Sequence, residues 1–523
     1  MKKPQPNILI ITTDQQRKDS LGCYGSDFAV TPTLDALARG GILFNRAYAA
    51  NPVCSPSRVS LFTGQQVSRH GCWNIGVNTP EDTITLAHRL AHAGYATQYV
   101  GKIHFQAFHS PPELSKEHCM VPGNGWRKEI ADAVEQKEAL FSGPYYGFDT
   151  IEWASGHGNY GLTGHYGKWV RSQVSRKEFE SYLYMKRLSE SEFGGEANEW
   201  GIPKQLHNSV WTANRAIDYI NKQKMESPFF LAVGFEDPHH PHALPEGYPL
   251  PVDPKKVPLP DFAARELDDK PDYFKQAHYG KANYLGDPSK KFDNRLMGQI
   301  LGFDYSTVGE DDARLGRATY YSMVSLIDEQ LGRIVDCLKS NNMLDNTIII
   351  ITSDHGELLG DHGLWLKGPF HYEQLLNVPL VIHWPKRLQK GRKSSALCSL
   401  VDIAPTILAA TGVEYEQKSV DGIDQMPVLE GKKESVRDSV LSECVDNEYH
   451  IRLKSVITRD SKLTRHIEEK HGELYDLAND PMEKKNLWND TASQKEKASL
   501  MCRLVDYTES IEREKRGIRT GPA

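Results

Sequence analysis

The run Cys54-Ser55-Pro56-Ser57-Arg58-Val59-Ser60-Leu61-Phe62-Thr63-Gly64 puts a cysteine at what reads as the start of a helix. Ser55 is a capping residue type, Pro56 suits the first helical position, and Gly64 can close the far end. Cys54 then sits just ahead of a helix N-terminus, where free N–H groups and the dipole favour an anion. Arg58, about one turn on, can return to the same anion or oxyanion. A lone cysteine is more commonly a small buried hydrophobe. Its chemistry therefore depends on what else the chain delivers to the same place.

Four apolar runs end abruptly in residues able to do chemistry. Asn7–Thr12 leads into Asp14-Gln15, and Tyr95–Val100 into Gly101-Lys102-Ile103-His104. Pro228–Val233 leads into a stretch ending Pro238-His239-His240, and Thr347–Thr352 into Ser353-Asp354-His355-Gly356. Runs rich in β-branched residues, without alternation, suit strands buried on both faces, hence a parallel sheet covered by helices. Ligands of such sheets bind beyond the carboxyl ends of the strands. Four strands would thus bring Asp, Lys/His, His and Asp/His to one edge. Taken singly, a lysine or aspartate at a strand end is usually a solvated loop residue; the joint delivery is what carries weight.

Helical periodicity fills the gaps: Leu34–Arg39, Thr85–Ala93, Val210–Asn221, Leu315–Asn341 and, after a strand at Val378–His383, Ile403–Ala410. Past about Gly431 the texture changes to shorter alternating segments, Ser439–Cys444, Ile451–Ile457, Lys462–Ile467 and Glu473–Leu477, then a charged helix from about Ser493 to Arg513. These read as an antiparallel meander and a helix. The expected division is a catalytic domain over 1–430 and a small α+β subdomain over 431–523. Gln106–Lys204 and Ala243–Thr307 resist assignment and read as binding loops or lids. Within the first, Tyr146-Gly-Phe148-Asp149 and Gly156-His157-Gly-Asn-Tyr160, backed by His165, Tyr166 and Trp169, are aromatic enough to line a pocket or to anchor the loop.

At 523 residues the chain exceeds one ordinary domain of ~100–200, and 39% hydrophobic with 25% charged residues marks a globular protein. Its net charge of -7 argues against nucleic-acid binding as its main business. No run approaches the ~20 apolar residues of a membrane span. The opening Met-Lys-Lys-Pro-Gln-Pro lacks the apolar core and cleavage site of a signal peptide, so a cytoplasmic location is expected. Eight cysteines without a C-x-x-C pair make no disulfide framework. Cys23, Cys72, Cys119, Cys337, Cys398, Cys444 and Cys502 read as structural, and Glu509–Arg516 as a solvated helix face.

The stretch from Cys54 to Gly64 resembles the C-x-P-x-R signature, followed by Leu-x-Thr-Gly, of the type I formylglycine-dependent sulfatases of the alkaline-phosphatase superfamily. The resemblance runs through Asp14, Thr31-Pro32-x-x-Asp35-x-Leu37, Gly101-Lys102-x-His104 and Pro238-His239-x-Pro241. It continues with Ser353-Asp354-His355-Gly356-Glu357, Lys367-Gly368 and Glu473-Leu474-Tyr475-Asp476-Leu477-x-x-Asp480-Pro481. It implies an α/β fold: a large, doubly wound, mostly parallel sheet flanked by helices, with a small C-terminal subdomain containing an antiparallel sheet.

The resemblance also implies a chemistry. A maturation enzyme oxidises the cysteine to formylglycine, and one hydroxyl of its hydrate attacks sulfur and displaces the alcohol. A base then deprotonates the second hydroxyl, sulfate is eliminated and the aldehyde returns. It implies a divalent cation on Asp14, Gln15, the Cys54-derived oxygen, Asp354 and His355. Hard oxygen donors favour Ca²⁺; Gln15, where many relatives carry Asp, can still ligate through its amide oxygen, while His355, a nitrogen donor where many carry Asn, leaves Mg²⁺ and Mn²⁺ open. By the same resemblance Arg58 holds the diol, and Lys102 and Lys367 neutralise sulfate oxygens. His104 is the base for elimination, and His239 or Lys367 protonates the leaving alcohol. His240 and His242 are bystanders at the pocket wall. The expected activity is hydrolysis of an organic sulfate monoester (aryl, steroid or carbohydrate). A phosphonate monoester or phosphodiester hydrolase of the same superfamily is the nearest rival, and an inert sulfated-ligand binder with unmodified Cys54 the other.

Overall fold

In the computed structural model the described residues are 5–108, 114–118, 126–136, 140–189, 196–224, 227–263, 265–280, 304–446 and 450–512. In chain order the strands are β1 (Asn7–Thr13), β2 (Ile42–Tyr48), β3 (Ala96–Gly101), β4 (Thr150–Trp153), β5 (Met185–Arg187), β6 (Ala197–Pro203), β7 (Phe229–Gly234) and β8 (His242–Glu246). They continue with β9 (Thr347–Ser353), β10 (Asn377–Val378), β11 (Leu380–His383), β12 (Arg392–Ser399), β13 (Ser439–Asp446), β14 (Ile451–Thr458), β15 (Ser461–His466) and β16 (Gly472–Asp476).

The large sheet runs β10-β2-β11-β9-β1-β7-β3-β4, with β12 also paired to β2. From β9 to β4 every pairing is parallel. Ile8–Ile11 of β1 face Ile348–Ile351 of β9 in register. Both faces of these strands are covered, which is why their sequences do not alternate. Ile8 and Ile10 pack with Val59, Leu90 and Ile407 from the helices Cys54–Thr63, Leu86–His92 and Ile403–Thr411. Leu9 and Ile11 pack on the opposite face with residues of Pro32–Gly40, Asn208–Lys222 and Glu310–Ser340. Each such side chain contributes roughly 1.5–3 kcal/mol by leaving water. The sheet is thus doubly wound, and its four chemistry-bearing strands, β9, β1, β7 and β3, are neighbours.

The expected strand Val378–His383 is split, because Pro379 has no N–H to give the ladder. Its second half, β11, runs antiparallel to both β9 and β2. The stretch 106–204 is more than a loop. It carries β4 to β6 and the helices Trp126–Ala133, Gly164–Gln173 and Arg176–Tyr182 around a small core containing Tyr166, Phe179 and Trp200. Of 243–307, the segment 281–303 lies outside the described residues, as do Cys119 and the tail beyond 512.

Strands β13–β16 form an antiparallel meander in sequence order. One face takes Leu500, Leu504 and Ile511 of the helix Gln494–Glu512. The other joins Leu358, Tyr372 and Leu375 of the main body through Val440, Leu453 and Tyr475. None of the helices among the described residues is long and apolar enough to cross a membrane.

His371 links these two parts, with Nδ1 2.6 Å from Ser455 Oγ. Burial, then Lys462 and His466, pushes its imidazole down to about 3. The unfolded chain takes up this proton near pH 6.5 and the folded chain resists it. Stability from this group is therefore full above pH ~6.5 and lost as the pH falls toward 3, at up to ~1.4 kcal/mol per unit. The melting temperature should fall between pH 7 and 5, with a shallower slope in His371→Gln. Equal slopes in thermal melts would remove His371 from this account.

Candidate active site

The helix Cys54–Thr63 is buried along its whole length. Its N-cap is Val53, extended at φ -132° and ψ 159°, whose N–H donates to Asn51 Oδ1 at 2.9 Å. Cys54 is therefore the first helical residue instead of preceding the helix, and Ser55 is not the cap; its hydroxyl is buried without a partner. Gly64, left-handed at φ 71°, ends the helix as its position predicts. At the end of β3, Gly101 has φ +89°, and a Cβ there would meet the carbonyl oxygen of Gly234 at 2.0 Å. That close approach turns Lys102 from the sheet toward Cys54's neighbours.

The strand ends converge on Cys54. Its Sγ lies 2.8 Å from Lys367 Nζ, 3.3 Å from His355 Nε2 and 3.7 Å from Asp14 Oδ1. Arg58, wholly buried, donates from Nε to Asp354 Oδ2 at 2.7 Å, from one terminal nitrogen to Asp14 Oδ2 at 3.2 Å, and from the other to the Lys102 carbonyl at 2.7 Å. It therefore clamps two carboxylates from different strands beneath Cys54. Lys102 Nζ pairs with Asp14 Oδ2 and lies 3.0 Å from His157 Nε2. Gln15, in the left-handed region at φ 65°, donates its backbone N–H to Asp354 Oδ1 at 3.0 Å. Its carboxamide nitrogen bonds Glu357, leaving its oxygen buried without a hydrogen-bond partner.

This set fits a divalent cation. One donor atom each from Asp14, Cys54, Asp354 and His355 lies within 4.8 Å of the others, and all four residues are buried. His355 Nδ1 donates to the Gly356 carbonyl at 2.8 Å, which leaves Nε2 as an acceptor facing Cys54 and both carboxylates. Burial opposes a charge on that ring, yet Asp354 and the Cys54 sulfur raise its affinity for a proton. The position therefore attracts positive charge. Asp14 shows the complementary effect: against burial, Lys102, Arg58 and Lys367 hold its carboxyl well below the ordinary range. Burial and Asp14 work against ionisation of the Cys54 thiol, but Lys102, Lys367 and His355 lower it overall.

Beyond His355, the imidazoles of His239, His157 and His104 also face the pocket. His239 Nδ1 donates to the His240 carbonyl at 2.5 Å, and its Nε2 accepts from Lys367 Nζ at 2.7 Å. His157 stacks flat on it, with ring centroids 3.3 Å apart and planes 5° from parallel. His104, left-handed at φ 61°, stacks on Phe108 at 3.9 Å with both ring nitrogens buried and without a hydrogen-bond partner among the described residues. Burial, then neighbouring charge, depresses all three rings well below the usual histidine range. Neutral, they can accept or relay a proton.

Glu117, unread in the sequence, fixes His104. Its carboxylate accepts the N–H groups of His104, Phe105 and Gln106 at 2.7–3.0 Å and the Tyr145 hydroxyl at 2.8 Å. Glu117→Gln puts an NH₂ against donors, so about 1–3 kcal/mol of stability should be lost. Thermal melts at fixed pH would detect this as a lower melting temperature; an unchanged one would contradict it.

Every candidate from the strand ends and the Cys54 run is present in this one pocket. His240, taken as a bystander, lies closer in: it stacks on His239 at 4.0 Å, with Nδ1 3.3 Å from the Gln15 amide nitrogen. His242 packs instead beside Tyr320. The aromatic loop divides. Tyr146 and Phe148 belong to the main core, and His165, Tyr166 and Trp169 pack on β4 and the small core. Of that group only His157 touches Lys102 and His239. Its signal was a histidine flanked by glycines, Gly156 and Gly158, both with positive φ.

Comparison with known proteins gives a coherent set of matches. The sulfatase family model matches residues 6–413, and a model described as N-sulphoglucosamine sulphohydrolase, C-terminal, matches 360–510. An arylsulfatase of Clostridium perfringens is 28% identical over 93% of this chain and 90% of its own length. An N-acetylglucosamine-6-O-sulfatase of Bacteroides thetaiotaomicron is 27% identical over 97% of this chain and 86% of its own. Among solved structures, the phosphonate monoester hydrolase of Agrobacterium radiobacter superposes with a TM-score of 0.76 at 25% identity, covering 97% of this chain and 96% of that one.

Proposed function

Because the chain belongs to the sulfatase family and is a sulfuric ester hydrolase, we propose that it cleaves a sulfate monoester by attack of an oxygen carried on residue 54. The observation that carries this is the meeting of Asp14, Cys54, Asp354 and His355 donor atoms within 4.8 Å, with Lys367 Nζ 2.8 Å from Sγ. A family-typical maturation enzyme would convert Cys54 to formylglycine, whose hydrate offers two hydroxyls. The cation proposed is Ca²⁺, which Asp14, Asp354, His355 and the residue 54 oxygen would hold with Gln15 alongside; when bound it would supply Lewis acidity and lower the pKa of a ligating hydroxyl.

The remaining groups divide the work by position. Lys102, just past β3, and Lys367, in the irregular segment between β9 and β10, would take the sulfate oxygens as charge develops. Arg58 helps to keep Asp14 ionised and holds Asp14 and Asp354 in alignment through its bonds to both. Lys367 and His239, joined at 2.7 Å, hold the proton the departing alcohol needs. His104, whose two ring nitrogens have no hydrogen-bond partner among the described residues, would take the proton whose loss expels sulfate. Lys102 with His104 suits a singly charged sulfate ester. The superposition on a phosphonate hydrolase makes phosphonate monoesters the second class to assay.

The test uses leaving-group quality. General acid help is worth ~10²–10⁴-fold and matters little when the alcohol leaves readily. His239→Ala should lose far more rate on an alkyl or sugar sulfate than on a nitrophenyl sulfate. His104→Ala should lose rate on both alike. Identical leaving-group dependence in the two variants would overturn the assignment, and faster turnover of a phosphonate than of any sulfate would overturn the substrate class.

A further inference from the structure

Beside the pocket lies a ladder of planar side chains that the reaction does not use. Tyr160 stacks on Trp126 with ring centroids 4.5 Å apart. The Arg127 guanidinium lies over Trp126 at 4.4 Å and over Tyr184 at 4.3 Å. Tyr160 and Tyr184 are 43% and 58% exposed, unlike the buried aromatics of the neighbouring core. Arg127 Nε donates to the Leu183 carbonyl at 3.1 Å, and the same oxygen takes Asn159 Nδ2 at 2.9 Å. The two terminal nitrogens of Arg127 have no carboxylate partner among the described residues. Lys186 and Arg187 are exposed on the adjoining β5, with Glu199 3.8 Å from Lys186 and Glu129 exposed on the Trp126 helix. The ladder is thus an exposed aromatic surface with a guanidinium set into it that has no carboxylate partner among the described residues.

Its place relative to the pocket follows from the backbone. The Tyr160 N–H donates to the His157 carbonyl at 3.0 Å, so one tight turn separates the ring on the ladder from the ring that touches Lys102 and His239. Such a turn spans less than ~7 Å between Cα atoms, about the width of one sugar ring. His157, Gly158, His240 and Pro241 are half-buried where the catalytic groups behind them are closed off. A sulfate seated against Cys54 would therefore emerge beside Tyr160.

We propose that Trp126, Arg127, Tyr160 and Tyr184 form a subsite for the sugar next to the one that loses sulfate, and that this neighbour carries a sulfate or carboxylate. The substrate class is then an acidic, sulfated oligosaccharide. The apolar face of a pyranose stacks on aromatic rings, and a guanidinium pairs with a sulfate or carboxylate through two parallel hydrogen bonds. An aryl or alkyl sulfate would fill the pocket and leave the ladder bare. This proposal rests on the sulfatase reading above.

The test compares chain lengths. Protein whose Cys54 conversion has been verified by mass would be assayed on nitrophenyl sulfate, glucosamine 6-sulfate, and sulfated di- and tetrasaccharides prepared from glycosaminoglycans and from galactans. At least one oligosaccharide should exceed the best monosaccharide in kcat/KM. Arg127→Ala and Tyr184→Ala should lower kcat/KM on that oligosaccharide roughly tenfold, mainly through KM, and leave nitrophenyl sulfate within twofold. Arg127→Lys should recover part of the loss, since it restores charge without the paired geometry. If no oligosaccharide beats its monosaccharide, or if the variants lose equally on nitrophenyl sulfate, the subsite is refuted while the sulfatase reading stands. If converted protein turns over no sulfate ester at all, it is the sulfatase reading that fails.

Discussion

Exhaustive chelation is expected to take hydrolysis of an aryl sulfate to the background rate, to lower the melting temperature by a few degrees, and to leave the protein folded. The three outcomes have separate causes. Activity is lost because Asp14 Oδ1, Asp354 Oδ1 and His355 Nε2, donors that suit a divalent cation, converge on one position. The protein stays folded because each carboxylate keeps another partner, Asp14 through Lys102 and Arg58, Asp354 through Arg58. The melting temperature falls by linkage: a ligand at a hundredfold its Kd contributes about 2.7 kcal/mol, and ~2–4 °C accompanies each kcal/mol in chains of 150–250 residues, less in longer ones. Readdition of Ca²⁺ should restore both. Asp354→Asn should lose activity permanently, since it also leaves the buried Arg58 facing a neutral amide. Full turnover in protein shown metal-free by elemental analysis would refute the site.

The strands that carry the chemistry were legible because burial on both faces leaves an unmistakable run of β-branched residues, as in Ile348–Ile351. Strand β2 was not, because Asn45 and Arg46 interrupt it at its exposed turn of the pleat. Strand β12 was hidden by its charged opening, Arg392-Lys393. Pro379 was visible and marks the break between β10 and β11; what it could not tell was that both pieces run antiparallel to β2. In the site, residue types at strand ends gave Asp14, Lys102, His239 and Asp354, since a parallel sheet sends all such ends to one edge. The spacing from Cys54 to Arg58 allowed the arginine to reach an anion near the helix start. Its bonds to Asp14 and Asp354 depend on strands about 40 and 300 residues away and have no local signal. His157 and Glu117 belong to the same class: each reaches the pocket from a segment whose position only tertiary packing decides.

Protein whose Cys54 remains a thiol is expected to be inactive on every sulfate ester, by on the order of a millionfold, as when an enzyme loses its nucleophile. The thiol is well placed: its Sγ is 2.8 Å from Lys367 and 3.3 Å from His355, and its pKa is lowered. Placement is not sufficient. A thiolate that took the sulfuryl group would hold it on sulfur with no second hydroxyl from which to expel sulfate, so turnover would stop after one event. Cys54→Ala should be equally inactive, and its fold intact, because the residue heads a helix whose capping does not use its side chain. On the proposed mechanism, conversion to the aldehyde followed by hydration would supply the second hydroxyl, whose proton His104 would remove.

The direct measurement is quantitative mass spectrometry of the tryptic peptide Ala47–Arg58 across preparations made with graded amounts of a formylglycine-forming enzyme, each assayed on nitrophenyl sulfate. The account predicts turnover proportional to the aldehyde fraction, on a line through zero. Undiminished turnover in a preparation whose peptide is wholly thiol would contradict it.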